Sequence, residues 1–271
     1  MLTKELNTAE ELVREAGRIV LEYYQQDYQV YFKNEREPVT QADKASNAFI
    51  TERLGNLFPD YGILAEESID DSRRLGCRRV WLVDPMDGTQ EFIDKVGQFS
   101  IMVGLIKEGR PILGVVYQPT SDTLYSAAKN MGAFVTRNGK RSQLRVSQVS
   151  EINRMRLVVS RSHRAALVDS MKNALGLATE VSSGSVGLKV GLLVESKSDL
   201  YLHPNSRTKE WDTCAPEIIL LEAGGKMTDL WGEPLEYNKP NVYNKKGFIA
   251  SNGQKHFEII QQIKPFLNQL S

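Results

Sequence analysis

Two carboxylates and a hydroxyl lie within six residues of this chain, directly after four apolar residues that predict the end of a buried strand. Asp84 and Asp87 flank a Pro–Met pair, and Gly88 and Thr89 follow. Proline biases the residue before it toward extended geometry, and glycine permits a turn that a side chain would forbid. We therefore expect a turn that points both carboxylates at one place and then begins a helix at Thr89. Carboxylate oxygens suit Mg²⁺ and amides at a helix start suit phosphate, so the run predicts a metal-and-phosphate site.

Other acids also stand where apolar segments begin or end. Glu66 closes a short apolar strand, Asp43 lies at a loop-to-helix join, and Asp212 lies at the start of an apolar helix. An acid at a helix start is most often a cap, so a structural role stays open for Asp43 and Asp212. A solvent-exposed loop position stays open for Glu66. If the acids converge, however, their charges repel, and a bound metal ion is the simplest relief.

The composition excludes some classes of partner. Lys plus Arg and Asp plus Glu both number 34 in the 271 residues, so no net charge favours nucleic acid or a membrane surface. The N-terminus lacks a signal-peptide pattern, and no apolar run approaches the ~20 residues of a membrane span. We expect a cytoplasmic protein. The two cysteines lack metal-ligand spacing and predict free thiols, although a disulfide stays open.

The hydrophobic pattern changes near the middle of the chain. Residues 1–150 show two helical patterns and then short strands with turn signals, which predicts an α+β half with a mostly antiparallel sheet. Residues 151–271 alternate strands and helices, which favours an α/β layer. We expect the first half to carry the metal site and the second half to carry substrate specificity. The polar stretch 34–37 predicts a mobile loop, and Thr40 or Asp43 begins the second helix.

Four motifs of this chain resemble those of the inositol monophosphatase superfamily, whose members are lithium-sensitive, Mg²⁺-dependent phosphomonoesterases. They are DPMDGT from Asp84, EES from Glu66, WD from Trp211 and EAGG from Glu222. The similarity extends from the first helix nearly to the C-terminus. It implies a layered αβαβα sandwich, two or three Mg²⁺ ions, a small phosphorylated substrate, and a monomer or homodimer.

The resemblance also implies roles for individual residues. The implied metal ligands are Glu66, Asp84, the main-chain carbonyl of Met86, Asp87 and Asp212. Thr89, paired with Asp43 or Glu66, is implied to orient the attacking water. The amides of Gly88 and Thr89 can hold phosphoryl oxygens. Met86 stands where the family usually has Leu or Ile, which is harmless if only its carbonyl coordinates.

Three segments of the second half resemble the 3′(2′),5′-bisphosphate nucleotidases of that superfamily, which remove the 3′-phosphate of 3′-phosphoadenosine 5′-phosphate and leave AMP. They are VSRSH ending at His163, GSVGLK ending at Lys189 and KEWDTCAPE beginning at Lys209. The implied substrate contacts are Glu66, Asp87, Gly88, Thr89, Ser160, His163, Ser185, Lys189 and Asp212. Lys189 is implied to bind the phosphate that is not cleaved, with Ser185 at the same helix start.

Simpler interpretations remain for two of these residues. A single histidine at a strand end is often a surface residue, and Lys189 can extend its ammonium out of an apolar helix. Inositol monophosphate or another small phosphate ester remains an alternative substrate, and a non-catalytic nucleotide-binding regulator remains an alternative function.

Overall fold

Two large β-sheets alternate with three layers of helices in the computed structural model, which describes residues 2–26, 30–34 and 37–269. The α-helices are α1 (Thr3–Tyr24), α2 (Gln41–Leu57), α3 (Thr89–Ile93), α4 (Ala166–Ala174), α5 (Val186–Val194), α6 (Glu210–Glu222) and α7 (His256–Ile263). The first strands are β1 (Val30–Asn34), β2 (Glu37–Thr40), β3 (Gly62–Ala65), β4 (Arg79–Asp87), β5 (Ser100–Lys107), β6 (Arg110–Gln118) and β7 (Thr123–Ala128). The later strands are β8 (Ala133–Arg137), β9 (Lys140–Gln143), β10 (Arg156–Ser160), β11 (Thr179–Ser183), β12 (Leu200–His203), β13 (Lys226–Thr228) and β14 (Phe248–Ser251).

The first large sheet has seven strands in the order β3-β4-β5-β6-β7-β8-β9. Only β3 and β4 pair in parallel; the remaining pairs are antiparallel, as predicted for this half. Helices α1 and α2 cover one face, where Ala9, Val13, Ala16 and Val20 of α1 are fully buried at helical spacing. This spacing is the signal that predicted the first helix.

Helices α5 and α6 form the middle layer between the two sheets. Gly104 of β5 and Gly114 of β6 lie opposite each other in the sheet. A Cβ atom at Gly104 would come within 2.5 Å of the Cys214 sulfur, and one at Gly114 within 2.5 Å of the Ala215 carbonyl oxygen. The two glycines therefore let α6 lie directly on the sheet, which fixes the depth of Asp212 in its first turn.

The second sheet has five strands in the order β11-β10-β12-β14-β13, with β10 parallel to β11 and β12. Helices α4 and α7 pack on its outer face. The layers are thus αβαβα, which confirms the predicted fold class. The middle core draws residues from both sides of residue 150, and the division into halves at that position stays a prediction.

The predicted turn at residues 84–87 is a strand end with a bulge. Asp84 pairs with Met102 and Asp87 pairs with Ser100, so three steps on β4 match two on β5. Proline has no N–H for the ladder, and a bulge is where a strand tolerates it. In a regular strand, successive side chains alternate between the two faces of the sheet. The bulge interrupts this alternation between Asp84 and Asp87.

Two further expectations differ from the structure. The loop predicted at 34–37 was wrong for its described positions, because Asn34 and Glu37 belong to strands β1 and β2, which pair antiparallel; residues 35 and 36 lie outside the described residues. Strands β9 and β11 were not predicted, because both are short edge strands with mainly polar, exposed residues. Within the described ranges, no helix is long and apolar enough to cross a bilayer.

Candidate active site

Glu66 and Asp84 are neighbours because of strand register. Strands β3 and β4 are parallel, with Ala65 opposite Val83, and each acid directly follows one of these residues. The Glu66 N–H also donates to the Val83 carbonyl oxygen at 3.1 Å. Parallel neighbours end at the same edge of a sheet, which is where ligands bind in such sheets.

Asp87 connects this edge to helix α5. Its Oδ2 accepts the Ser185 hydroxyl at 2.6 Å and the Gly187 N–H at 3.2 Å. The positive end of the α5 dipole favours a carboxylate at this position. Asp87 therefore ties the bulged strand to the segment that was predicted to recognise the substrate.

Asp43 and Asp212 occupy equivalent places in their helices, and each caps its own helix start. Asp43 Oδ2 accepts the N–H and the hydroxyl of Thr40, both at 2.7 Å, and Thr40 is the N-cap of α2. Asp212 Oδ2 accepts the Lys209 N–H at 2.7 Å. A cap uses one carboxylate oxygen, so the structural role and a role in the site are compatible.

The second Asp43 oxygen faces Thr89. The Thr89 hydroxyl donates to Asp43 Oδ1 at 3.0 Å, with the Met86 carbonyl oxygen as a second acceptor at 3.3 Å. Glu66, the alternative partner, instead has its Oε1 3.4 Å from the Lys209 ammonium. Of the two predicted pairings of Thr89, the structure has the one with Asp43.

One cavity of about 1130 Å³ collects nearly all the predicted site residues. Its lining includes Glu66, Asp84, Met86, Asp87, Gly88, Thr89, Ser160, His163, Ser185, Lys189 and Asp212. Asp43 is buried and reaches the cavity through its hydrogen bond to Thr89.

Burial and mutual repulsion make the acids of this cavity harder to ionise. Burial raises the pKa of Asp84, and the charges of Glu66, Asp87 and Asp212 raise it further. Burial raises the pKa of Asp212, with Glu66 and Asp87 adding to the effect. Burial also raises the pKa of Asp87, which the ammonium of Lys189 opposes. A bound cation would reverse these shifts, because it favours the charged form of each acid.

The donor set fits a hard cation that keeps some of its waters. In the described part of the chain, no group of three or more His, Cys, Asp or Glu side chains is already assembled as a metal cage. Mg²⁺ is usually held by one or two carboxylates, waters and substrate phosphates rather than by an all-protein cage. Carboxylates spaced around an open cavity match that mode of binding.

Lys189 lies on the cavity floor rather than at its rim. Its ammonium is buried, donates to the Gly184 carbonyl oxygen and lies 5.3 Å from the centre of the Tyr201 ring. Burial lowers the pKa of Lys189 to about 8, although the negative charges of three acids raise it. These acids are Asp87, Glu91 and Asp212. Lys189 thus supplies the positive charge that faces these acids.

Three more predicted substrate contacts, Ser160, His163 and Ser185, differ in how available they are to a ligand. Ser185 has internal partners, since its hydroxyl donates to Asp87 and its N–H donates to the Gln98 carbonyl oxygen at 3.3 Å. His163 is exposed at the cavity mouth, and its N–H donates to the Ser160 hydroxyl at 3.3 Å.

Sequence reasoning missed a polar chain at the end of β12. Arg207 N–H donates to Asn205 Oδ1 at 3.0 Å, so that oxygen is an acceptor and the His203 Nε2–H, 2.8 Å away, must donate to it. His203 Nδ1 then accepts the Tyr201 hydroxyl at 3.0 Å. Burial lowers the pKa of His203 to about 3, so the ring stays neutral.

A signal for these residues was present in the sequence. Strand β12 is parallel to β10, so His203 and Ser160 end neighbouring strands at one edge. Two more cavity residues without a predicted role are Glu91, two residues after Thr89, and Lys209, the first residue of the KEWDTCAPE segment.

Sequence comparison places the chain among known proteins. The inositol monophosphatase family matches residues 1–266. A 3′(2′),5′-bisphosphate nucleotidase CysQ of Aggregatibacter actinomycetemcomitans is 38% identical over 242 residues, which cover 88% of this chain and 89% of that protein. The protein of the same name from Escherichia coli K12 is 36% identical over 244 residues, which cover 89% of this chain and 97% of that protein.

Solved structures show the same similarity. An IMPase of Thermotoga maritima superposes with a TM-score of 0.84 at 25% identity, covering 99% of this chain and 100% of that one. CysQ from Bacteroides thetaiotaomicron, a bacterial member of the inositol monophosphatase family, superposes with a TM-score of 0.80 at 29% identity, covering 92% of this chain and 97% of that one. The chain belongs to the inositol monophosphatase family.

Proposed function

We propose that this protein is a Mg²⁺-dependent 3′(2′),5′-bisphosphate nucleotidase that removes the 3′-phosphate of 3′-phosphoadenosine 5′-phosphate to give AMP and phosphate. Relatives of that name match most of the chain at up to 38% identity. The observation that carries the proposal is that Asp84, Asp87, Asp212 and the Thr89–Asp43 pair meet at one large cavity, which Lys189 also lines.

The family is Mg²⁺-dependent in general, and we assign the ligands of two or three ions in this chain. They are Glu66, Asp84, the Met86 carbonyl oxygen, Asp87 and Asp212. Mg²⁺, when bound, supplies positive charge that neutralises phosphoryl oxygens and makes water a better nucleophile. The Met86 N–H donates to Asp84 Oδ1 at 3.0 Å, which holds that carboxylate in a fixed orientation.

Thr89 and Asp43 are the proposed catalytic residues. The Thr89 hydroxyl already donates to Asp43, so a lone pair of its oxygen is free to accept a proton from water. The proton can pass from water to Thr89 while the Thr89 proton passes to Asp43. Water attacks phosphorus in line and the bond to the 3′-oxygen breaks. That oxygen leaves as the alkoxide and takes a proton from solvent water, and no phospho-enzyme forms. The amides of Gly88 and Thr89 hold phosphoryl oxygens in this proposal.

The nucleotide is assigned to the second half of the cavity lining. Ser160, His163 and Ser185 line that side, with His163 exposed at the mouth. Lys189 on the floor is the proposed cation for the phosphate that stays attached. The cytoplasmic location and the monomeric or homodimeric state remain predictions.

Replacing Lys189 by Met tests this assignment. The variant keeps the length of the side chain and removes its charge, so binding of the bisphosphate nucleotide should weaken by about 1–3 kcal/mol, the scale of a charge-assisted hydrogen bond. A substrate with one phosphate should lose less. The measurement is KM for both substrates, with the exposed Lys264→Met as a control. Equal losses for both substrates would remove Lys189 from the proposed subsite.

The pH dependence of activity tests Asp43. Burial raises the pKa of Asp43 to about 6. Activity should therefore fall as the pH drops through about 6, because protonated Asp43 cannot accept the Thr89 proton. The stability of the fold has the opposite pH dependence. The contribution of Asp43 to the free energy of unfolding is full below its unfolded pKa of about 4 and is lost as the pH rises through its folded pKa. A profile of kcat from pH 5 to 9 should show this acid limb, and a flat profile would contradict the role.

Inositol monophosphate is the second candidate substrate, favoured by the high structural similarity to the Thermotoga IMPase. A phosphate-release assay with and without Mg²⁺ separates the candidates. The panel contains 3′-phosphoadenosine 5′-phosphate, inositol monophosphate and fructose 1,6-bisphosphate. We expect kcat/KM to be highest for the nucleotide. Preference for inositol monophosphate would overturn the substrate, and no release from any ester would favour a non-catalytic regulator.

A further inference from the structure

Gln98 contacts both segments of the second half that carry proposed nucleotide contacts. These recognition segments are residues 160–164 and 184–189. The Gln98 Oε1 accepts the Gly184 N–H at 3.0 Å and the Arg161 Nε–H at 2.9 Å. Its main-chain carbonyl accepts the Ser185 N–H at 3.3 Å. One residue of the first half thus holds both recognition segments.

The Gln98 main chain is also packed tightly between two glycines. A Cβ atom at Gly184 would lie 2.1 Å from the Gln98 carbonyl oxygen, and one at Gly88 would lie 3.0 Å from the same oxygen. Gly88 follows the proposed metal ligand Asp87, and Gly184 precedes the N-cap of α5. A shift of the Gln98 peptide therefore displaces the metal-binding strand end relative to the start of α5.

Among the described residues, the other hydrogen bonds from the first half to the recognition segments reach one segment each. Ser100 and Ser185 hydroxyls are 2.6 Å apart, and the Ser162 hydroxyl donates to Glu91 Oε1 at 2.7 Å. Each joins one segment only. The Gln98 side chain joins both through a single oxygen, although Gln98 is not among the residues lining the cavity in the described part of the chain.

We propose that Gln98 is a positioning residue that holds both recognition segments in place over the metal-binding strand end. It acts through Gly184 and Arg161 and does not touch the substrate. This inference rests on the proposed nucleotidase function. It explains why a half-buried polar side chain lies at this seam, where an apolar residue of similar size would leave the buried Gly184 N–H without an acceptor.

Two substitutions of Gln98 separate positioning from simple packing. Gln98→Leu keeps the approximate volume and removes the acceptor, whereas Gln98→Glu keeps an acceptor oxygen for both donors. KM for the bisphosphate nucleotide should rise roughly tenfold in Gln98→Leu, with kcat within about twofold, as expected when binding alone is lost. Gln98→Glu should have a KM close to that of the unaltered protein. KM for a small aryl phosphate should change little in either variant.

Hydrogen exchange of the peptide around Gly184 gives a readout that needs no substrate. Exchange should accelerate in Gln98→Leu and stay unchanged in Gln98→Glu. Unchanged exchange or unchanged KM in Gln98→Leu would overturn the proposal, as would equal damage in both variants or with both substrates. If the unaltered protein does not hydrolyse the bisphosphate nucleotide, the proposed function fails, and the exchange comparison still decides whether Gln98 holds the segment.

Discussion

Phosphate release by the Asp84→Asn variant is expected to fall about 10³-fold, because cation charge at a phosphoryl group stabilises the transition state by several kcal/mol. The substitution keeps the side-chain volume and removes the charge that would hold the cation. Initial rates at saturating Mg²⁺ provide the measurement. The Asp60→Asn variant, which changes an exposed acid in the same way, is the matched control and should keep full activity.

The same variant should not lose stability in the absence of metal. Burial and three neighbouring acids raise the pKa of Asp84 in the folded state. The contribution of Asp84 to stability is therefore lost as the pH rises above the pKa that Asp84 has in the unfolded chain. Asparagine does not ionise, so the variant has no such loss. Without Mg²⁺ at pH 8, the variant should have a Tm equal to or above that of the unaltered protein, and Mg²⁺ should raise its Tm less. An unfolded variant would indicate a structural role for Asp84, and retained activity would exclude it as a ligand.

Replacing the hydroxyl of Thr89 should have an effect of similar size. Thr89→Val is nearly isosteric and removes the group that donates to Asp43, so kcat should fall by roughly 10²–10⁴, the usual contribution of positioned proton transfer. KM should change little, since Asp84, Asp87 and Asp212 remain.

Thr89→Ser is the matched control for that substitution. It keeps the hydroxyl and the bond to Asp43, so most of the activity should remain. If Thr89→Val were as active as Thr89→Ser, water would not be activated through Thr89. If both lost activity equally, the methyl group and packing at the start of α3 would be the cause.

The sequence predicted the core of the site because strand and helix ends carry local signals. Asp84 and Glu66 follow apolar runs that end at one sheet edge, and capping positions mark Asp43 and Asp212. The sequence left two possible partners for Thr89, and in the structure its hydroxyl donates to Asp43. The positions of these acids follow from strand register and from helix starts, and short sequence patterns predict both.

Other parts of the site depend on contacts between segments distant in sequence. Gln98 lies 86 positions from Gly184, and no periodicity links them. The neutral state of His203 follows from burial and from the orientation of Asn205, which only the fold defines. The internal partners of Ser185 were likewise invisible, because Asp87 reaches α5 only through the bulge in β4.

A crystal of the protein grown with Mn²⁺, AMP and phosphate is the most direct test of the account, because anomalous scattering locates the ions without reference to activity. We expect anomalous peaks between the carboxylates of Glu66, Asp84, Asp87 and Asp212, with phosphate oxygens completing their coordination. Absence of any peak among these four side chains at saturating Mn²⁺, with phosphate bound elsewhere, would contradict the proposed metal-dependent phosphatase.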